Sequence, residues 1–264
     1  LVLAALGRDA EAVADYQTAL RLKPGFSAAH NNLGVLQRRA GALASADASF
    51  AAALQIDPGH IDARYNRALT AFQRGDLALA QTLLRECIKR APEHDGARAT
   101  LVDVLTDLGE RAEALTLARA SAKRLAGSPP LCNALGQAEE AAGNPDAARA
   151  AYRAGLQADP GNATLAMNLA LLENESANAA AAQDVYAAAL AVRDHAGLRF
   201  CRVTQLPVIP ESEAQIDEVR AGFVTNLQQL RESGVRLDDP LNDFGDTPFY
   251  LSYHGRDDDR LLLQ

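Results

Sequence analysis

Residues 27–60, SAAHNNLGVLQRRAGALASADASFAAALQIDPGH, and residues 61–94, IDARYNRALTAFQRGDLALAQTLLRECIKRAPEH, decide the fold, because the second stretch repeats the punctuation of the first at a shift of 34 residues. Pro24, Pro58 and Pro92 keep that spacing, Pro160 follows two steps later, and Ala126 holds the skipped place. Gly7, Gly41, Gly75, Gly109 and Gly143 form a second series, with Ala177 next in line. Ala12, Ala46, Ala80, Ala114, Ala148 and Ala182 form a third, and Tyr16, Phe50, Leu84, Ala118, Tyr152 and Tyr186 a fourth. Each series has a physical cause. Gly between two helical stretches supplies a left-handed turn, and Pro cannot continue a helix. The Ala series lets two helices approach closely, as do Ala19, Ala53, Cys87, Ser121, Gly155 and Ala189. The bulky series fills the space between neighbouring units, and Leu33, Leu101, Leu135 and Leu169 do the same on the first helix, where Arg67 breaks the pattern.

Several independent positions holding one 34-residue register resemble the tetratricopeptide repeat, a helix–turn–helix unit of that length. The units run 27–60, 61–94, 95–128, 129–162 and a degenerate 163–196, and residues 1–26 form the later part of one more, so the array spans 1–196. The resemblance implies an all-α superhelical solenoid whose concave face holds a peptide or a protein. Leu1 at the start and Leu261-Leu262-Leu263-Gln264 at the end lead to the expectation of a piece of a longer protein.

The first helix of each unit is expected to face the groove. Its sixth position reads Asn32, Asn66, Thr100, Ala134 and Asn168. An Asn amide carries two donors and an acceptor oxygen, so a row of them can clamp a peptide backbone whatever its side chains. The same row can equally bond a neighbouring helix, and both alternatives stand at this point. Further groove candidates are Asn31, Arg38, Arg39, Tyr65, Phe72, Asp103, Asp107 and Glu140. Their charges are mixed, without the stacked Lys and Arg that would grip a C-terminal carboxylate.

After about residue 197 the period stops, and residues 197–264 read as a helical connector. A short helix is expected over 197–206, with Leu198, Phe200 and Val203 as its apolar residues. Pro207 and Pro210 bracket an extended link, and Ser212-Glu213-Ala214-Gln215 has capping-box spacing. Ile216, Val219, Phe223, Leu227 and Leu230 then follow at helical intervals, and Gly234 is placed to end that helix. "LPVIPES" at 206–212, "LDDPL" at 237–241 and "PFYLSYHGRDDDRLLLQ" at 248–264 resemble the connecting segment of bacterial O-linked N-acetylglucosamine transferases of the SPINDLY-like group. That resemblance implies a protein O-glycosyltransferase with a UDP-sugar donor, whose catalytic lobes would follow Gln264. It carries no catalytic residue and no cofactor into this chain, and it places the family's Asn ladder on Asn32, Asn66 and Asn168. The alternative is a non-catalytic scaffold for protein–protein interaction.

Composition narrows the field further. The chain has 264 residues and a net charge of −8, which disfavours wrapping nucleic acid or docking on anionic lipid. Apolar residues at 48% and aromatics at 5% place the hydrophobic weight on Ala and Leu, the composition of packed helices. No apolar run reaches the roughly 18 residues of a membrane span, so a cytoplasmic protein is expected. Cys87, Cys132 and Cys201 lack zinc-ribbon or disulfide-framework spacing, and no metal site is expected. His30, His60, His94 and His195 form no ligand set. Asp243-Phe244-Gly245 matches a kinase triplet, but nothing else of a kinase accompanies it. His254 is either a titrating group or a packing residue. The expected partners are protein or peptide clients, with a homodimer as a further option.

Overall fold

The computed structural model describes residues 8–205 and 212–234. The motifs at 237–241 and 248–264, the Asp-Phe-Gly triplet, His254, and Gly7 lie outside the described residues, as does all but the last residue of the 206–212 motif. Thirteen helices and no strand occur among the described residues. The chain divides into two compact units, residues 1–126 and 127–264.

In the first unit, α1 (Asp9–Leu22) is followed by the pairs α2 (Ser27–Arg39) with α3 (Leu43–Ile56), α4 (Ile61–Gln73) with α5 (Leu77–Arg90), and α6 (Asp95–Asp107) with α7 (Arg111–Arg124). In the second, α8 (Pro129–Ala141) pairs with α9 (Pro145–Ala158) and α10 (Ala163–Glu175) with α11 (Ala179–Val192). The shorter α12 (Ala196–Thr204) and the longer α13 (Glu213–Glu232) follow.

Periodic chemistry makes periodic structure here. Gly41, Gly75, Gly109 and Gly143 all take φ between 74° and 79°, the left-handed turn that ends a first helix. At Gly41 the turn is closed by its own N–H on the Arg38 carbonyl and the Ala42 N–H on the Gln37 carbonyl. The same pair of bonds closes the turn at Ala177, whose φ is 58°. An alanine held there carries roughly 1 kcal/mol or more of steric strain that glycine avoids, and the two closing bonds hold it in place.

Helix starts are capped by side chains. Asp76, Asn162 and Asn178 each accept a backbone N–H three residues on. Three histidines cap in the same way, with Nδ1 of His60, His94 and His195 accepting from the amides of Ala63, Ala97 and Leu198. Helix capping, rather than ligation, therefore accounts for three of the four histidines spread along the array. Among the described residues no group of His, Cys, Asp and Glu could hold a metal ion.

The small series fills the seams: Ala46, Ala53, Ala80, Cys87, Ser121 and Ala148 are fully buried. The bulky series sits against them, with Phe50, Leu84 and Tyr152 fully buried and Tyr16 half-buried. Close approach is what the glycines on first helices provide. A Cβ on Gly136 would stand 2.2 Å from the Tyr152 ring, and one on Gly34 2.7 Å from the Phe50 ring. Arg67, which breaks the Leu series, is half-buried and paired with Asp47 at 2.9 Å. Cys87, Cys132 and Cys201 are buried free thiols, and burial pushes the first two above the usual thiol range.

The sequence periodicity fades after 197, yet α12 takes the place of the next first helix. Leu198 and Cys201 join the buried cluster of Ala166, Ala170, Ala182, Tyr186 and Ala189. Cys201 Sγ lies 3.8 Å from Met167 Sδ, and Gln205 donates to the Ala170 carbonyl at 3.2 Å. The stripe Ile216, Val219, Phe223, Leu227 and Leu230 is the less exposed side of α13, which packs on α12. Gly234 ends α13 with φ 67°.

Candidate peptide-binding face

In the first unit the first helices α2, α4 and α6 lie side by side and are pinned in register by side chains. Asn66 Nδ2 donates to Asn31 Oδ1 at 3.1 Å, and Asn31 Nδ2 donates to Asn32 Oδ1 at 3.4 Å. One helix further, the Tyr65 hydroxyl lies 3.4 Å from Thr100 Oγ1. The Tyr65 ring sits 4.6 Å from the His94 ring, and Gly96 leaves room for it, since a Cβ there would come within 2.9 Å of the hydroxyl oxygen.

The second unit repeats the device. Asn168 Nδ2 donates to Asn133 Oδ1 at 2.7 Å, and Asn133 Nδ2 donates to Gln137 Oε1 at 3.1 Å. Asn133 did not stand out in the sequence. Its signal was available: it precedes Asn168 by 35 residues, as Asn31 precedes Asn66 and Tyr65 precedes Thr100. A fifth-position side chain in one unit reaches a sixth-position side chain in the next.

These bonds set what each groove candidate has to spare. Asn31 is buried and spends both its oxygen and an N–H inside the protein. Asn66 and Asn168 are half-buried; each spends one N–H, leaving Oδ1 and the second N–H without a partner among the described residues. Asn32 keeps its Nδ2 group unspent, while Thr100 and Ala134 are buried in the other two places of the row.

The remaining candidates divide by chemistry. Arg38 is half-buried, and its Nε is screened from solvent with no hydrogen-bond partner among the described residues. Arg39 beside it is exposed and pairs with Asp9 at 3.4 Å. Phe72 is half-buried and Asp107 exposed. Glu140, in the second unit, accepts the buried Tyr152 hydroxyl; burial raises its carboxyl above the usual range, the Tyr152 bond draws it back, and Glu175 adds to the rise. Burial, then Glu140, pushes the Tyr152 phenol upward.

Among the described carboxylates Asp103 is displaced furthest. Burial, reinforced by Asp107 one turn on, pushes it up to about 6. Since the folded chain holds this proton more tightly than the unfolded chain, the charge costs stability above pH 6, and that cost fades as pH falls toward 4. Asp103→Asn is therefore expected to raise stability at pH 7 by about 2 kcal/mol and to change it little at pH 4. Urea denaturation of both proteins at the two pH values measures this, and equal midpoints at pH 7 would contradict it.

Against known proteins, two separate tetratricopeptide-repeat family profiles match residues 71–138 and 129–172, and a profile described as TPR repeat matches residues 1–41. No curated protein sequence matches the chain. Among solved structures, similarity extends to a tetratricopeptide repeat protein from Parabacteroides merdae at 17% identity and TM-score 0.64, covering 96% of this chain and 95% of that one. The anaphase-promoting-complex heterotetramer Cut9–Hcn1 aligns at 13% identity and TM-score 0.68, covering 96% of this chain, which spans about half, 48%, of that one. A thermophilic TPR protein from Thermus thermophilus aligns at 20% identity and TM-score 0.57, covering 76% of this chain and 99% of that one.

Proposed function

Because the chain folds as an all-α tetratricopeptide-repeat protein, we propose that it is a binding scaffold whose first-helix faces hold extended segments of protein clients. The carrying observation is the unspent amide capacity of Asn32, Asn66 and Asn168 beside half-buried apolar side chains. Amides of this kind serve any peptide backbone, because each residue offers one N–H and one C=O. First helices stand roughly 10 Å apart, about three residues of extended chain, so within the first unit a strand meets the amides of Asn32 and Asn66 at successive steps.

No helix among the described residues is long and apolar enough to cross a membrane. The proposed setting is the cytoplasm and the proposed partners are proteins or peptides, a second copy of the chain among them.

Asn32 is the informative residue to change, since it contributes only one weak internal bond. Asn32→Ala is expected to weaken captured peptides about fivefold, the effect of roughly 1 kcal/mol of lost backbone hydrogen bonding. Its thermal midpoint should stay put. Fluorescence anisotropy with peptides selected on an array measures the first, and circular dichroism the second. Failure of the unaltered protein to capture any peptide would sink the scaffold reading.

A second reading rests on the sequence motifs at 206–212, 237–241 and 248–264. Their likeness to the connector of bacterial O-linked N-acetylglucosamine transferases supports a role as the acceptor-binding arm of a UDP-sugar-dependent glycosyltransferase. In that case the clients carry the Ser or Thr to be modified, and the donor binds elsewhere than in the described helices. A coding sequence without two nucleotide-sugar-binding lobes beyond Gln264 would remove this reading and leave the scaffold untouched.

A further inference from the structure

The bonds Asn31–Asn66 and Tyr65–Thr100 fix three first helices of the first unit side by side. One helical turn beyond them come Val35 on α2, Leu69 on α4 and Asp103 on α6; the next turn brings Arg38, Phe72 and Thr106, with Asp107 one residue further along α6 and one turn past Asp103. The face is graded in charge as a result. At the α2 end stands Arg38, with no ion pair among the described residues and a screened, unbonded Nε. Its centre is Val35, Leu69 and Phe72, all half-buried. At the α6 end stand Asp103 and Asp107, neither with a hydrogen bond or ion pair among the described residues, Asp103 half-buried and Asp107 exposed.

An arginine and an aspartate left without partners on one face, both partly desolvated, carry a cost that the fold does not recover internally. Several other arginines in this unit are ion-paired, Arg39 with Asp9, Arg64 with Glu86, Arg67 with Asp47, Arg85 with Glu113 and Arg124 with Glu93, and Arg38 differs from them in having a screened Nε and no carboxylate among the described residues. The surface is complementary to a ligand with its charges in the opposite order.

We infer that this face takes an extended peptide segment with an acidic side chain against Arg38, apolar side chains over Leu69 and Phe72, and a Lys or Arg against Asp103 and Asp107. Two helix spacings of roughly 10 Å separate the charged ends, so the acidic and basic residues of the segment stand about six positions apart in an extended chain. The inference rests on the scaffold reading and adds the class of segment that the scaffold selects.

The test is selection from a random nine-residue peptide library displayed on phage, with the full chain as bait. Recovered peptides are expected to carry an acid and a base about six residues apart with apolar residues between. With Asp103→Asn/Asp107→Asn as bait, enrichment of the base should vanish and that of the acid persist; with Arg38→Gln the reverse should hold. Peptides selected on the unaltered chain should bind each variant at least tenfold more weakly. Thermal midpoints of the variants separate lost recognition from lost folding. Capture of peptides with no charge pattern, or with a pattern that survives both sets of substitutions, would overturn this inference and keep the scaffold. Capture of nothing would overturn both.

Discussion

Tyr152→Ala is expected to lower the stability of the chain by about 4 kcal/mol, the range for removing a fully buried aromatic ring. The ring has no solvent exposure and belongs to the cluster of Cys132, Ala148, Leu165, Leu169 and Leu172 in the second unit. It fills the space over Gly136, where no side chain fits. Its hydroxyl also donates to Glu140, so truncation removes the bonding partner of a half-buried carboxylate. Tyr152→Phe isolates that part and should cost only about 1 kcal/mol. Gly136→Ala alone should cost about 1–3 kcal/mol through overpacking, yet cost less in the Tyr152→Ala background, where its methyl enters the vacated space. Chemical denaturation of the four proteins gives the coupling. Strict additivity would mean that the ring and the glycine are not fitted to each other.

Glu173→Gln should cost about 3 kcal/mol, at the lower end for breaking a buried ion pair. Glu173 is 2% exposed, and its Oε1 accepts from Arg149 Nε at 3.0 Å and Arg153 Nη2 at 2.8 Å. Arg149 also holds Asp146 at 2.6 Å and Ser176 Oγ at 3.2 Å, so this one guanidinium ties α9 to α10. Arg153 is largely exposed and returns to water when the carboxylate is lost. Arg149, at 18% exposure, stays behind as an underpaired charge. Glu173→Leu/Arg149→Met should recover most of the loss, because two apolar side chains of similar volume need no partner. If the double variant is as weak as Glu173→Gln, packing rather than charge governs the site.

Much of the fold is legible in residue types at one period. Gly, small, bulky and Pro positions recur because each answers a local demand of the helix pair. What escapes that legibility escapes for physical reasons. Ala177 breaks the Gly series in letters but not in shape, because two backbone bonds enforce the left-handed turn. Arg67 breaks the Leu series, and its reason, Asp47, lies 20 residues earlier on another helix. The short helix expected over 197–206 forms as α12, and only its place as a further first helix escapes, because its repeat lacks the punctuation of the others while Leu198 and Cys201 still meet the cluster.

The face was harder to read than the fold. The Asn row pointed at Asn32, Asn66 and Asn168, but which amide groups are spent inside the protein depends on cross-helix partners such as Asn133. A sequence scan along one register column misses a bond that steps between two columns. Asp103 and Arg38 appeared only as mixed charges. Their lack of counter-ions is a property of three helices together, visible once the helices are aligned.

The step of 35 residues in the Asn31–Asn66, Tyr65–Thr100 and Asn133–Asn168 bonds bears on how such a gene can change length. Duplicating or deleting a block of 34 codons moves both partners of every downstream bond together, so each finds an equivalent mate and the seams close again. A single inserted codon inside a helix rotates all later side chains by about 100°, parting every pair that straddles it. Gene length is thus free to drift in whole units while being held fast within each one, and the number of steps on the binding face becomes a heritable variable separate from the chemistry of any step.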